Sequence, residues 1–212
     1  MNKPLLGIFG GTFDPIHCGH ISALEQICQN INFAQLRWIP SAKPPHKDSV
    51  GATIDQRLEM LELALEGYSN WYVDDLETRR DTPSYTFDTL SQLQSQFVDH
   101  QLVMIIGADS LQNLNTWYRY PDLLELSHWV VMHRPNYTLK VPKQLVSKVV
   151  DSPEQLQASF ESCIWLHHSS EFDISSTEIR AALRAANADQ RQLVNLPSSV
   201  FNYIKAQQLY KI

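Results

Sequence analysis

Two histidines three residues apart are the first side chains in this sequence that could do chemistry. His17 and His20 follow two glycines and the Asp14-Pro15 turn in the stretch GGTFDPIHCGH. Glycines let the backbone turn sharply and approach a ligand, and the Asp-Pro pair is typical of a turn before a helix, which we expect to begin near Ile16. Both imidazoles then share one face of the first helical turn, where free N–H groups and the helix dipole favour anions. The stretch predicts a phosphate site.

Two other interpretations of the histidine pair are open. The pair could be buried polar groups that the core satisfies, which is the commoner role of two histidines at a helix start. It could also be half of a structural zinc site, which needs about four ligands. The other candidate zinc ligands are Cys18, His46, His133, His167 and His168. None of them lies at a sequence spacing from the histidine pair that is typical of a zinc site. Burial in the core leaves Gly10, Gly11 and the Asp-Pro turn unexplained, whereas a phosphate site accounts for them.

Two later stretches carry further groups that bind anions. In DISSTEIR, Ser175 and Glu178 form a capping box at a helix start, and Arg180 adds a fixed positive charge one turn in. The Pro-stiffened loop SAKPPHK follows the second predicted strand and carries Lys43, His46 and Lys47. Taken alone, the first is typical of an ordinary helix cap and the second of a solvated surface. Together with the histidine pair, they predict that three elements converge on a polyphosphate.

Short apolar runs alternate with amphipathic stretches along the whole chain. The runs favour strands buried on both faces, and the stretches favour helices. This alternation predicts an α/β fold with a doubly wound parallel sheet, right-handed crossovers and a small C-terminal helical part. The predicted strands are 4–9, 36–39, 71–73, 102–106, 129–132 and 163–166, and helical spacing covers 21–31, 54–65 and 87–97. Ligands bind such sheets at the carboxyl ends of the strands, where the histidine pair lies.

The stretch 134–162 has weaker periodicity and predicts a connection with a short helix. We place no domain boundary there and expect a single domain over residues 1–212.

Composition excludes several classes of protein. The net charge of −6 disfavours a broad nucleic-acid surface, which needs clustered cations. Three scattered cysteines disfavour both a disulfide framework and a cysteine-built zinc site. No apolar run has the roughly 20 residues of a membrane span, so we expect no membrane partner and a cytoplasmic location. The sequence leaves both a monomer and a homo-oligomer open.

The motifs resemble those of the nucleotidyltransferases with the [HT]-x-G-H signature and a second motif like ISSTEIR. Within that superfamily, the chain resembles the bacterial nicotinate mononucleotide adenylyltransferases, with their Rossmann-like fold. The motifs in that family's order are GGTFDPIHCGH, KPPHK, YTFDTL, IGADS, the Trp117-Tyr118 pair, HRP and ISSTEIR. The set spans Gly10 to Arg180 and is specific to the family, although related phosphopantetheine and cytidylyl enzymes share the first motif.

The resemblance implies that a phosphate oxygen of nicotinate mononucleotide attacks the α-phosphorus of ATP, giving nicotinate adenine dinucleotide and pyrophosphate. His17, His20 and Arg180 are the implied catalytic residues, and Mg²⁺ is expected to be bound through ATP phosphates. The implied ATP-binding residues are Gly10, Gly11, Thr12, Phe13, His17, His20, Gly107, Asp109, Ser175, Ser176, Thr177 and Arg180. The implied substrate-binding residues are Lys43, His46, Lys47, Tyr85, Thr86, Trp117, Tyr118 and Arg134. The first three are expected to close over the phosphates of one or both substrates. No residue is expected to bind a metal directly.

Two alternative functions are weighed against this one. A different adenylyl- or cytidylyltransferase would keep the phosphate-binding motifs and use another acceptor, which YTFDTL and Trp117-Tyr118 disfavour. A nucleotide-binding sensor would bind the same ligands and release no pyrophosphate.

Overall fold

A seven-stranded sheet, parallel throughout, forms the centre of the protein. The computed structural model describes residues 3–43, 51–133, 139–168, 174–185 and 195–210. The strands are β1 (Leu5–Gly11), β2 (Phe33–Pro40), β3 (Trp71–Val73), β4 (Gln101–Gly107), β5 (His128–His133), β6 (Val149–Val150) and β7 (Ile164–His168). Their spatial order is β3-β2-β1-β4-β5-β7-β6. Strand order therefore reverses between β1 and β4, which is where such sheets bind ligands.

Helices cover both faces of the sheet. They are α1 (Cys18–Cys28), α2 (Ile54–Leu65), α3 (Thr86–Gln96), α4 (Ala108–Gln112), α5 (Tyr120–Leu126), α6 (Pro153–Ala158), α7 (Ser176–Arg184) and α8 (Ser198–Ala206). Two short 3₁₀ segments lie at Leu114–Thr116 and Lys143–Lys148. The capping box predicted at Thr53 and Gln56 is present at the start of α2.

The core has two layers, one on each face of the sheet. Along β1, Leu5 and Phe9 join the layer that packs against α1, α2, α7 and α8, whereas Leu6 and Ile8 join the layer against α3, α4 and α5. Side chains alternate between the two faces of a strand, so a run that is apolar throughout must be buried on both. The predicted doubly wound parallel sheet is confirmed, and the single domain over 1–212 stays a prediction.

The first helix begins close to the predicted position. Ile16 is fully buried, and this burial draws the chain into the core before the helix can start. His17 has an extended backbone, with φ −146° and ψ 167°, and is the N-cap of α1. The helix therefore starts near Ile16, as predicted, with its first residue two positions further along the chain.

The stretch 134–162 also contains more structure than predicted. The expected short helix is α6, but the chain first forms β6, which pairs with β7 at the edge of the sheet. Two residues are too few to show a period of two, so the sequence pattern did not reveal this strand.

Candidate active site

A cavity of about 890 Å³ opens at the carboxyl ends of β1 and β4, where the strand order reverses. Its lining contains nine of the predicted site residues, which come from four separate parts of the chain. These are Gly10, Gly11, Thr12, Tyr85, Thr86, Gly107, Asp109, Trp117 and Tyr118. The structure therefore brings part of the predicted ATP-binding set and part of the predicted acceptor-binding set to one cavity. Among the described residues, the lining does not include His17, His20, Ser175, Ser176, Thr177 or Arg180.

The loop after β1 turns at Phe13 and not at its glycines. Gly10 and Gly11 are still part of β1 and pair with Ile39 and Pro40, whereas Phe13 has a φ of +48°. A Cβ on Gly11 would lie 2.9 Å from the Phe13 ring, so this glycine makes room for the ring. The expectation that the glycines themselves make the sharp turn was wrong.

The two histidines of this loop stack on each other. Their ring centroids are 3.7 Å apart and their planes are 24° from parallel. The backbone N–H of His17 donates to Nδ1 of His20 at 3.3 Å, and the His20 ring meets Phe13 edge-on at 5.3 Å. Capping and packing thus fix the positions of both imidazoles.

Burial determines the charge of His17. The side chain is 5% exposed, and burial lowers its pKa from 6.5 to about 4. The imidazole is therefore neutral at pH 7. Its Nδ1 has no hydrogen-bond partner among the described atoms. His17 can offer a hydrogen bond to a ligand but not a positive charge.

The start of α7 packs against the same loop. Ser175 caps the helix, since its Oγ accepts from the Glu178 N–H at 3.1 Å. The Ser176 hydroxyl donates to the Pro15 carbonyl at 3.0 Å, and Arg180 Nη1 donates to the Asp14 carbonyl at 2.6 Å. The two predicted phosphate-binding motifs therefore meet.

The side chains of α7 are already bonded to protein atoms. Arg180 Nη2 donates to the Thr177 hydroxyl at 3.3 Å, and the Ser176 hydroxyl hydrogen lies on Pro15. Ser176 is left with its backbone N–H to offer to an anion, because the first N–H groups of a helix have no partner within the helix.

The third predicted phosphate element lies mainly outside the described residues. His46, Lys47 and Arg134 all belong to the segments that the structure does not describe. Lys43 is described and exposed, and its Nζ donates to the Asp81 carbonyl at 3.0 Å. The predicted convergence therefore has structural support for two elements of three.

The other end of the cavity is aromatic. The rings of Tyr85 and Tyr118 lie 4.6 Å apart, which joins the start of α3 to the Trp117-Tyr118 segment. Thr86 is the first residue of α3, so its N–H is free of helical partners. Trp117 is half-buried and lies edge-on to Trp129 at 6.5 Å, with Tyr118 50% exposed beside it. Trp117 therefore has one side in the core and one side on the cavity.

The end of β4 presents a carboxylate to the cavity. Asp109 is exposed, in the first turn of α4. A Cβ on Gly107 would lie 2.6 Å from Asp109 Oδ1, closer than any real contact. The absence of a side chain at Gly107 is what allows this carboxylate its position.

Known proteins resemble this chain over its whole length. A model of the cytidylyltransferase-like family matches residues 8–182. A relative from Aeromonas hydrophila is 38% identical over 100% of this chain and 99% of its own, and one from Dechloromonas aromatica is 37% identical over the same shares. Both carry the name "probable nicotinate-nucleotide adenylyltransferase". This chain belongs to the nicotinate-nucleotide adenylyltransferase family.

Solved structures share the fold of this adenylyltransferase. The nicotinic acid mononucleotide adenylyltransferase of Plasmodium falciparum, complexed with NaAD, superposes with a TM-score of 0.77 at 20% identity, over 98% of this chain and 97% of that one. The same protein complexed with APC gives 0.75. As a member of the family, this chain is a nucleotidyltransferase with a Rossmann-like fold.

Sequence reasoning missed a buried polar network beside the cavity of this adenylyltransferase. Arg80 Nη2 donates to the Thr89 hydroxyl at 2.6 Å, and that hydroxyl donates to Glu77 Oε1 at 2.7 Å. Glu77 and Thr89 both line the cavity. The one sequence feature that pointed to this network was a threonine, Thr89, on the apolar face of α3 next to Leu90.

A second missed residue is Arg57, which is almost fully buried in α2. Its Nη1 donates to the carbonyls of Thr12, at 2.7 Å, and Ser41, at 2.9 Å. The guanidinium ties together the segments that follow β1 and β2. An arginine within the apolar stripe of a predicted helix was the signal for it.

The described residues bring together no three His, Cys, Asp or Glu side chains suited to a metal ion. Within the same part of the chain, no helix has the length and apolar character that a bilayer crossing needs.

Proposed function

We propose that this chain transfers the adenylyl group of ATP to nicotinate mononucleotide, giving nicotinate adenine dinucleotide and pyrophosphate in NAD biosynthesis. Family membership supports the reaction type, and the relatives' names support the acceptor. The observation that carries the proposal is one cavity with two unlike ends. Backbone, hydroxyl and carboxylate groups line one end, and aromatic rings line the other.

The chemistry needs no base and no covalent enzyme intermediate. A phosphate oxygen of the mononucleotide is already an anion, and it attacks the α-phosphorus of ATP in line. As the new P–O bond forms, the electron pair of the breaking bond passes to the leaving pyrophosphate. Catalysis then rests on positioning and on hydrogen bonds to the oxygens where charge develops.

The loop after β1 supplies those hydrogen bonds in this proposal. His17 acts as a neutral donor, because burial lowers its pKa to about 4. His20 lies against it at 3.7 Å, so both can reach one group of phosphate oxygens. Arg180 supplies a full positive charge beside them, toward the leaving pyrophosphate, with N–H groups of Ser175, Ser176 and Thr177. Gly10, Gly11, Thr12 and Phe13 complete the ATP-binding loop.

Mg²⁺ is assigned to the nucleotide and not to a protein site. Mg²⁺ prefers oxygen ligands and is usually held through substrate phosphates, which the triphosphate of ATP supplies. When bound, the ion neutralises charge on the triphosphate.

The acceptor occupies the aromatic end. Trp117 stacks on the pyridine ring, and main-chain N–H groups near Thr86 and Tyr118 meet the ring carboxylate. A site of donors favours a carboxylate over an amide, whose own NH₂ would face N–H groups. Asp109 receives the ribose of the nucleotide. Tyr85 and Arg134 complete the proposed acceptor site, and the phosphates of one or both substrates are covered by Lys43, His46 and Lys47.

The proposed location and partners of the protein follow from this reaction. We place the enzyme in the cytoplasm, where ATP and pyridine mononucleotides are both present, with small molecules and not nucleic acid as its partners. The net charge of −6 is consistent with that choice. A homo-oligomer is compatible with the proposal.

The test is an acceptor panel with ATP, in which released pyrophosphate is followed. The acceptors are nicotinate mononucleotide, nicotinamide mononucleotide, 4′-phosphopantetheine and buffer alone. We expect pyrophosphate to be released fastest with nicotinate mononucleotide. Fastest release with another acceptor would reject the acceptor assignment, and no release with any of them would favour a nucleotide-binding sensor.

A further inference from the structure

The buried carboxylate of Asp14 joins three distant parts of the chain. Asp14 is 4% exposed. Its Oδ2 accepts from the Gly51 N–H at 2.7 Å, and its Oδ1 accepts from the Ala52 N–H at 3.0 Å. The Tyr210 hydroxyl donates to the same Oδ1 at 2.8 Å, from 196 positions further along the sequence. A turn of the proposed ATP-binding loop is thus held from both the start of α2 and the segment after α8.

Asp14 also meets Arg180, in two ways. Arg180 Nη1 donates to the Asp14 backbone carbonyl at 2.6 Å, and the same nitrogen lies 3.8 Å from carboxylate Oδ2. The second distance is beyond a hydrogen bond, so the guanidinium and the carboxylate are close without a direct bond. Besides the N–H groups of Gly51 and Ala52, the Asp14 carboxylate therefore has two side-chain neighbours that compete for it, the phenol of Tyr210 and the guanidinium of Arg180.

Tyr210 is held in its position by close packing. Its side chain is 6% exposed, and its backbone φ of +63° is a left-handed conformation that a tyrosine adopts only when its surroundings impose it. A Cβ on Gly51 would lie 2.9 Å from the Tyr210 ring and 3.4 Å from Arg180 Cδ. The ring therefore lies directly on the backbone of Gly51, beside the arginine.

The phenol remains a hydrogen-bond donor across the working pH range. Burial, followed by the nearby charge of Asp14 and the hydrogen bond to it, raises the pKa of Tyr210 well above its ordinary value. A protonated phenol can donate to a carboxylate, whereas a phenolate would repel it.

We infer that Tyr210 is a positioning residue, whose hydroxyl satisfies Asp14 and so leaves the remaining N–H groups of the Arg180 guanidinium available to a polyphosphate. Without that hydroxyl, the Asp14 carboxylate loses a donor and attracts the nearest cation, which is Arg180 at 3.8 Å. An Arg180 guanidinium that is paired with the Asp14 carboxylate binds phosphate more weakly, because the carboxylate already neutralises part of its charge. This inference rests on the proposed function, because that function assigns Arg180 to the triphosphate.

The test compares Tyr210→Phe, which keeps the ring against Gly51 and removes the hydroxyl, with Tyr203→Phe. Tyr203 lies on α8, and the charged groups near its hydroxyl are Glu59 and Asp55 of α2, so this variant is the matched control. We expect Tyr210→Phe to raise both KM for ATP and Kd for inorganic tripolyphosphate by about 5- to 10-fold, with KM for nicotinate mononucleotide unchanged. Tyr203→Phe should change none of them.

A double variant separates positioning from general packing. In an Arg180→Gln background, Tyr210→Phe should change tripolyphosphate affinity by less than about twofold, because the cation nearest Asp14 is gone. The charge of Arg57, which also acts on Asp14, is the same in both backgrounds. A merely structural tyrosine would weaken binding equally in both backgrounds, and that result would overturn the inference. So would an unchanged tripolyphosphate affinity in Tyr210→Phe alone.

Two further outcomes remain decisive. If Tyr210→Phe does not fold, Gly51→Ala displaces the same ring by its added methyl group, and unchanged tripolyphosphate affinity in that variant overturns the inference.

The tripolyphosphate assay also separates this inference from the proposed function, because tripolyphosphate binding needs neither acceptor nor turnover. If the wild-type protein released no pyrophosphate while Tyr210→Phe still weakened tripolyphosphate binding through Arg180, the proposed function would fail and this inference would stand.

Discussion

Acidification should destabilise this protein more than it destabilises a variant without His17. The imidazole is 5% exposed, and burial lowers its pKa to about 4. In the unfolded chain the same group titrates near its ordinary value of 6.5. Between these two values the unfolded state binds a proton that the folded state does not. Stability is therefore retained above pH 6.5 and lost as the pH falls from there toward 4.

The size of the effect follows from the two proton-binding equilibria. Between pH 7 and pH 5, the difference in pKa lowers the free energy of unfolding by about 2 kcal/mol. His17→Gln removes this titration. Burial also lowers the pKa of His128 and His167, but both remain in the two proteins and cancel from the comparison.

Urea unfolding at pH 7 and pH 5 measures the difference. The wild-type protein should lose about 2 kcal/mol more than His17→Gln over this interval. An equal or larger loss in the variant would refute a buried, neutral His17. An NMR titration of the His17 ring gives an independent check, since a midpoint near 6.5 would contradict the same reasoning.

Three substitutions test separate parts of the proposed site, the histidine pair after β1 and the two ends of the cavity. His20→Ala should lower kcat by about 100-fold with little change in ATP affinity, because its hydrogen bond strengthens as charge develops; steady-state kinetics that show an unchanged kcat in folded protein would contradict this. Trp117→Ala should raise KM for nicotinate mononucleotide alone, whereas a core tryptophan would lose about 3–5 kcal/mol of stability and impair both substrates. Gly107→Ala adds a Cβ 2.6 Å from Asp109 Oδ1 and must displace that carboxylate, so KM for ATP should rise by about 10-fold at an unchanged Tm. An unchanged KM would contradict a role for Asp109 at the nucleotide.

The sheet was predictable because a strand that is buried on both faces has a local pattern in the sequence, which is a continuous apolar run. A run such as Leu5 to Phe9 is apolar throughout only because side chains on both faces of β1 are buried. The edge strand β6 has no such pattern, since its two residues are too few to form an apolar run or to show a period of two. The two-residue offset at the start of α1 was not predictable, because the burial of Ile16 is a tertiary effect that turn chemistry does not express.

The cavity was predictable in part, because the sequence motifs identify several of the segments that line it. The segments at Tyr85 and Trp117 line one cavity, as the resemblance implied. The hydrogen bond between Asp14 and Tyr210 was not predictable, because no spacing rule connects residues 196 positions apart. The neutral state of His17 was not predictable either, since it arises from burial in the folded protein.

The most direct test of the proposed reaction is the ratio of kcat/KM for nicotinate mononucleotide to that for nicotinamide mononucleotide, measured with saturating ATP. We expect a preference for the acid of at least about 100-fold, because the amide would place donors against donors in a desolvated pocket. Equal use of the two acceptors would contradict the carboxylate-binding end of the cavity, even with adenylyl transfer itself demonstrated.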